Sequence, residues 1–144
     1  MMRGSEITDA LVRQLESVKS ANGYATDLRG VYAHAEVVPD GAQLPCALVN
    51  IENPDVITSR ASTQATRERT YSIQVVFRRG ATETELNAAN NDVLRCLGFG
   101  KHEYEREMQG LITEEQETSY EFAAKGSNYT TVTILVTFVY VETY

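Results

Sequence analysis

Apolar and polar residues alternate along two long stretches of the chain. From Arg67 to Arg79, Tyr71, Ile73, Val75 and Phe77 interleave with Thr70, Ser72, Gln74 and Val76. From Asn128 to Tyr144, Val132, Ile134, Val136, Phe138 and Tyr140 interleave with Thr131, Thr133, Leu135, Thr137 and Val139. A period of two puts successive side chains on opposite faces, so both stretches predict long strands with one face on a core, and their matched length makes them natural neighbours. After a break at Gly80 the period changes. Leu86, Ala89, Val93, Leu94 and Leu97 fall on one helical stripe, Thr82 and Glu85 have the spacing of a capping box, and Gly98 stands where a left-handed C-terminal residue is wanted.

The remaining elements are shorter. Residues 5 to 20 predict a first helix, with Ser5 as its cap, Ile7, Leu11, Leu15 and Val18 as an apolar seam, and Asn22-Gly23 as its end. Leu28 to Val38 predicts a strand, followed by a turn at Pro39-Asp40-Gly41. Cys46 to Ile51 is nearly continuous in apolar residues and reads as a central strand covered on both sides. A further strand is expected over about residues 110 to 123. Pro54 to Thr66 is polar apart from Val56 and Ile57, which predicts a long loop or an extended β-hairpin arm. Connections of that length in a small domain are commonly functional.

At 144 residues the chain has apolar content for one modest core, so it reads as a single domain, residues 1–144, of the α+β class. The formal charge of −7 and the lack of a Lys/Arg patch argue against a nucleic-acid-binding surface. More than half of that charge lies in residues 99–126, where seven glutamates face Lys101, Arg106 and Lys125. Outward carboxylates on a strand also discourage edge-to-edge aggregation. The longest apolar run, Val132 to Val141, is too short for a membrane span and is interrupted by threonines, so a soluble protein is expected.

Tests for catalytic chemistry come out negative. His34, His102, Cys46 and Cys96 lack the short spacing of a zinc site, and the two cysteines are expected as buried thiols. The glycines of Gly98-Phe99-Gly100-Lys101 end a helix, whereas a phosphate loop opens one. The glutamates sit in polar, alternating surroundings, unlike a general acid perturbed by burial. No enzymatic activity, cofactor or metal is expected. What remains is binding or assembly.

The order of elements is informative. The first helix, Val31-Tyr32, Leu44-Pro45-Cys46-Ala47-Leu48-Val49, Arg69-Thr70-Tyr71-Ser72-Ile73-Gln74-Val75, the second helix and the Thr/Val-rich last strand together resemble the tail terminator proteins of long-tailed bacteriophages, over essentially the whole chain. The resemblance implies two helices on one side of a mostly antiparallel, mixed sheet of four to five strands, with an extended hairpin or loop arm. It also implies a homohexameric ring at the head-proximal end of the tail tube. Such a ring stops tube polymerisation, meets a head-to-tail connector or neck protein, and lets double-stranded DNA through without specific binding. The implied location is the virion, after assembly in the host bacterial cytoplasm. Arg60, Ser62, Thr63, Gln64 and Arg67 in and beside the arm, and Glu103, Glu105, Glu107, Glu114 and Glu115 in the acidic segment, are the candidate interface residues. A neck or head-completion protein of similar fold is the alternative role, and a small ligand-binding or enzymatic domain a second.

Overall fold

A computed structural model of the chain describes residues 4–101, 112–124 and 126–144. Its elements are α1 (Gly4–Glu16), β1 (Val31–Ala33), β2 (Cys46–Ile51), β3 (Val56–Arg60), β4 (Gln64–Arg78), α2 (Glu83–Cys96), β5 (Ile112–Glu121) and β6 (Tyr129–Thr143). A 3-10 turn at Ser20–Asn22 follows α1. Five strands run in the order β1-β2-β4-β6-β5, and the arm adds a sixth, β3, which pairs with β4. Among the described residues β1 and β2 are parallel and the other pairings are antiparallel. The fold is therefore the expected α+β arrangement, with the arm strand extending the four- to five-stranded sheet.

The two alternating stretches pair along their whole length, from Gln64 opposite Thr143 to Arg78 opposite Tyr129. Their shared apolar face, with Ala47 and Val49 of β2, meets Ile7, Leu11 and Leu15 of α1 and Leu86, Ala89 and Val93 of α2 in one continuous core. Both helices thus cover the same side of the sheet. The valine, leucine and isoleucine side chains contribute roughly 1.5–3 kcal/mol each when fully buried. At the centre, the Tyr71 and Phe138 rings meet edge-on with centroids 5.6 Å apart, the arrangement their quadrupoles favour.

Helix α2 begins as its capping box dictates. The Glu85 backbone N–H donates to the Thr82 hydroxyl at 3.3 Å, and the Thr82 N–H donates to the Glu85 carboxylate at 2.6 Å. Gly98 follows the helix at φ 100°. Helix α1 is shorter than expected. Ser5 lies inside its first turn, and Gly23, at φ 90°, closes the 3-10 turn instead of the helix.

The strand expected over Leu28 to Val38 shrinks to Val31–Ala33. His34 takes φ 60°, which turns the chain out of the strand direction. The segment after it crosses the open side of the sheet, where Tyr32, Ala35, Val38 and Leu44 pack on Cys46, Leu48 and Val76. This cover explains the unbroken apolar run of β2, which is second from the edge and buried on both faces. Elsewhere the open side mixes Leu135 and Val139 with polar residues, the Thr70 and Thr137 hydroxyls lying 2.8 Å apart across β4 and β6.

Candidate assembly surface

The polar stretch around Pro54 to Thr66 forms a β-hairpin arm. Strand β3 pairs with β4 from Val56 opposite Glu68 to Arg60 opposite Ala65, with an irregularity at Thr58. The Ala61 N–H donates to the Gln64 carbonyl at 2.8 Å to close the turn. The end of β6 runs along the far side of β4, and the Tyr144 N–H donates to the Thr63 carbonyl at 2.8 Å. The arm is thus a three-stranded extension of the sheet beyond β2.

A polar network holds its base. Arg69 lies two residues before Tyr71, so the alternation of β4 points it to the helix side. Its Nε and Nη2 donate to the two Asp55 carboxylate oxygens, each at 2.9 Å. Nη1 donates to the Gly4 carbonyl at 3.1 Å, and Nη2 also reaches the Tyr140 hydroxyl at 3.1 Å. Tyr140 in turn donates to Asp55 at 2.7 Å. The Tyr71 and Thr8 hydroxyls, 2.6 Å apart, extend the network into α1. A Cβ at Gly4 would lie 2.8 Å from Arg69 Nη2, so a larger residue there would push the guanidinium from its place.

The electrostatics match this geometry. Burial works to raise the Asp55 carboxyl, but hydrogen bonds from Arg69 and Tyr140 and the nearby arginine charges outweigh it and hold the group below its ordinary value. Burial, reinforced by Asp55, pushes the Tyr140 phenol up to about 12. The hydrogen bond to Asp55 raises Arg69 further. The pair is a clasp that carries both charges at neutral pH.

Beyond the clasp the rim is open. All of β3 is exposed, including Val56 and Ile57. Of the arm candidates, Arg60 is exposed at the end of β3, Ser62 and Thr63 in the turn, and Gln64 at the start of β4. Arg67 is half-buried and faces inward, with Nη1 3.7 Å from Asp55 and Nη2 donating to the Tyr144 hydroxyl at 3.3 Å. Glu114 and Glu115 are exposed on β5. The arm and β5 lie on opposite sides of the β4–β6 pair, so the two groups of candidates occupy opposite rims of one sheet. Glu103, Glu105 and Glu107, with His102, lie outside the described residues.

Asp55, Arg69 and Tyr140 were not among the candidates. One sequence signal could have found them: Arg69 falls in the core-facing register of Tyr71 and Ile73, where a guanidinium needs a buried anion.

The clefts contain a different chemistry. An open cavity of about 330 Å³ is lined by Thr26, Asp27, Arg29, Phe77, Arg78 and Glu85. The Ser20 backbone N–H lowers the Asp27 carboxyl and the Thr82 backbone N–H lowers that of Glu85, so both are anionic acceptors at neutral pH and poor proton donors. Cys46 and Cys96 are buried free thiols, the latter pushed by burial and by Asp92 to about 12. Among the described residues, no group of three or more His, Cys, Asp or Glu is placed to hold a metal ion. Among the same residues no helix is long and apolar enough to cross a membrane. No family model matches the chain, and no curated protein matches it.

Proposed function

We propose that this chain is a structural virion protein of the tail terminator kind, a non-enzymatic subunit that forms a hexameric ring on the head-proximal end of a phage tail tube. The observation that carries the reading is a single anchored sheet with two chemically different open rims. The arm on one side presents Arg60, Val56 and Ile57, and β5 on the other presents Glu114, Glu115, Glu117 and Glu121. A closed ring needs two unlike patches that complement each other around a rotation, and a monomeric enzyme has no use for them.

The open face of the sheet supports the same reading. Thr70, Ser72, Gln74, Thr133 and Thr137 make much of it polar around Leu135 and Val139, Glu68 adds a carboxylate toward the arm, and the Glu114, Glu117 and Glu121 positions of β5 share that face by their pairing with Thr137, Leu135 and Thr131. Carboxylates repel phosphates, so such a face suits a channel through which DNA moves without sticking.

The test is addition of the purified chain to polymerising tail tube protein. A terminator caps tubes and shortens their length distribution as its concentration rises. Tubes that bind the chain nowhere and grow unchanged contradict the proposal, and tubes that grow unchanged while the chain binds a head connector favour the neck or head-completion role.

A further inference from the structure

The geometry points to a specific joint between copies: the outer edge of β3 in one subunit pairs antiparallel with the outer edge of β5 in the next, so that the sheets run on from subunit to subunit. This rests on the ring reading above and names the surface that closes the ring.

Both edges are open. Among the described residues β3 pairs only with β4, and β5 only with β6. An unpaired edge exposes a row of backbone donors and acceptors, and adding a strand satisfies them. The five residues of β3 fit within the ten of β5.

Strand direction agrees. Three antiparallel steps, β3 to β4, β4 to β6 and β6 to β5, leave β3 antiparallel to β5 within one subunit. Within one subunit Arg60 stands level with Glu142 and Glu115 with Val136, so a second copy related by rotation about an axis inclined to the strands, as strands incline in a closed barrel, keeps the antiparallel sense, supplies the stagger that brings β3 alongside the glutamates of β5, and leaves the helix-covered faces on one side. Side-chain parity agrees as well. Arg60 pairs with Ala65, which is buried and in the register of Tyr71, and Glu115 pairs with the core residue Val136. Arg60 and Glu115 therefore project on the same side of the continued sheet.

Charge selects this pairing over self-pairing. Strand β5 carries four glutamates and no cation, whereas Arg60 is the only charged residue of β3. Two β5 edges would crowd their glutamates along one ladder, which is unfavourable, and two antiparallel β3 edges would set each Arg60 opposite Val56, leaving it without an anion. Only the unlike pair is attractive, and an unlike pair propagates around a ring instead of stopping at a dimer. The joint also removes from water Val56 and Ile57, which are 56% and 38% exposed in the single subunit.

The test combines hydrogen exchange with a charge swap on the full chain. At concentrations where it associates, amides in residues 56–60 and 112–121 exchange at least ~10-fold more slowly than in dilute solution, as expected for edge groups that gain strand partners. Arg60→Glu and Glu115→Arg each weaken association by about 5-fold per joint, and the double variant recovers it, because cross-strand charge pairs contribute up to ~1 kcal/mol. All three variants change exposed side chains and keep the parent melting temperature. Association with protection elsewhere, or no rescue by the double variant, overturns the joint and leaves the tube-capping proposal standing. A chain that stays monomeric up to millimolar concentration also overturns the joint, and capping is then judged separately from tube lengths.

Discussion

The Arg69 guanidinium and the Asp55 carboxylate face each other through two parallel hydrogen bonds of 2.9 Å, with the Tyr140 hydroxyl bridging them. Asp55 stands at the root of β3, Arg69 on β4 and Tyr140 on β6, so one ion pair joins the three strands of the arm, and the Gly4 carbonyl ties them to α1. Under the proposed assembly role the arm must hold its direction. Bidentate arginine–carboxylate geometry fixes direction better than an apolar contact can.

Removing one partner should loosen the arm. Asp55→Ala leaves a guanidinium that is 15% exposed without its anion and is expected to cost ~2–4 kcal/mol in chemical denaturation. Replacing both partners by apolar residues, Asp55→Leu with Arg69→Met, should cost clearly less than the single change, since no buried charge is left unpaired. Faster amide exchange over residues 56–63 in Asp55→Ala, with the α2 amides unchanged, would localise the effect.

Stability should fall at both ends of the pH range. Asp55 titrates lower in the folded chain than its unfolded value of ~3.9, so its contribution is present above that pH and disappears as pH falls through the folded value. Tyr140 moves the other way, from ~10 unfolded to about 12 folded. Its contribution is complete below the unfolded value and is lost as pH rises through the folded one. Asp55→Asn should flatten the acid limb of a melting-temperature profile and Tyr140→Phe the alkaline limb.

The core makes a simpler prediction. Phe138 is fully buried against Tyr71, and Phe138→Ala should cost ~3–5 kcal/mol through the cavity it opens. Thr82→Ala removes the α2 cap and should cost only ~1 kcal/mol. Equilibrium unfolding in urea measures both.

The two thiols should be inert until the chain unfolds. Burial raises both Cys46 and Cys96, and only the thiolate reacts. Labelling by a thiol reagent at pH 8 should follow global unfolding in denaturant, with the midpoint seen by circular dichroism. Prompt labelling of the native chain would contradict this placement.

What was legible in the sequence was local or strictly periodic. The capping box of Thr82 and Glu85 depends on three residues of spacing, and the β4–β6 pair on a period of two that runs from Tyr71 to Phe77 in one strand and from Val132 to Tyr140 in the other. The early loss of β1 was hidden because it depends on His34 leaving the extended region so that the next segment can cover Leu48 and Val76, a consequence of packing across the sheet. The clasp was hidden for a related reason. Asp55 and Arg69 are fourteen residues apart and meet only because β3 folds back on β4, with Tyr140 arriving from seventy-one residues further on. The arm itself was visible as a polar interruption, and its two rim chemistries as a charge imbalance, but their placement on opposite edges follows from strand order alone.

Electron microscopy of the purified chain mixed with assembled tail tubes tests the central claim most directly. The account predicts one ring of six copies on a single end of each tube, with free rings or subunits elsewhere. Tubes bare at both ends, with the chain dispersed as lone particles, would contradict it.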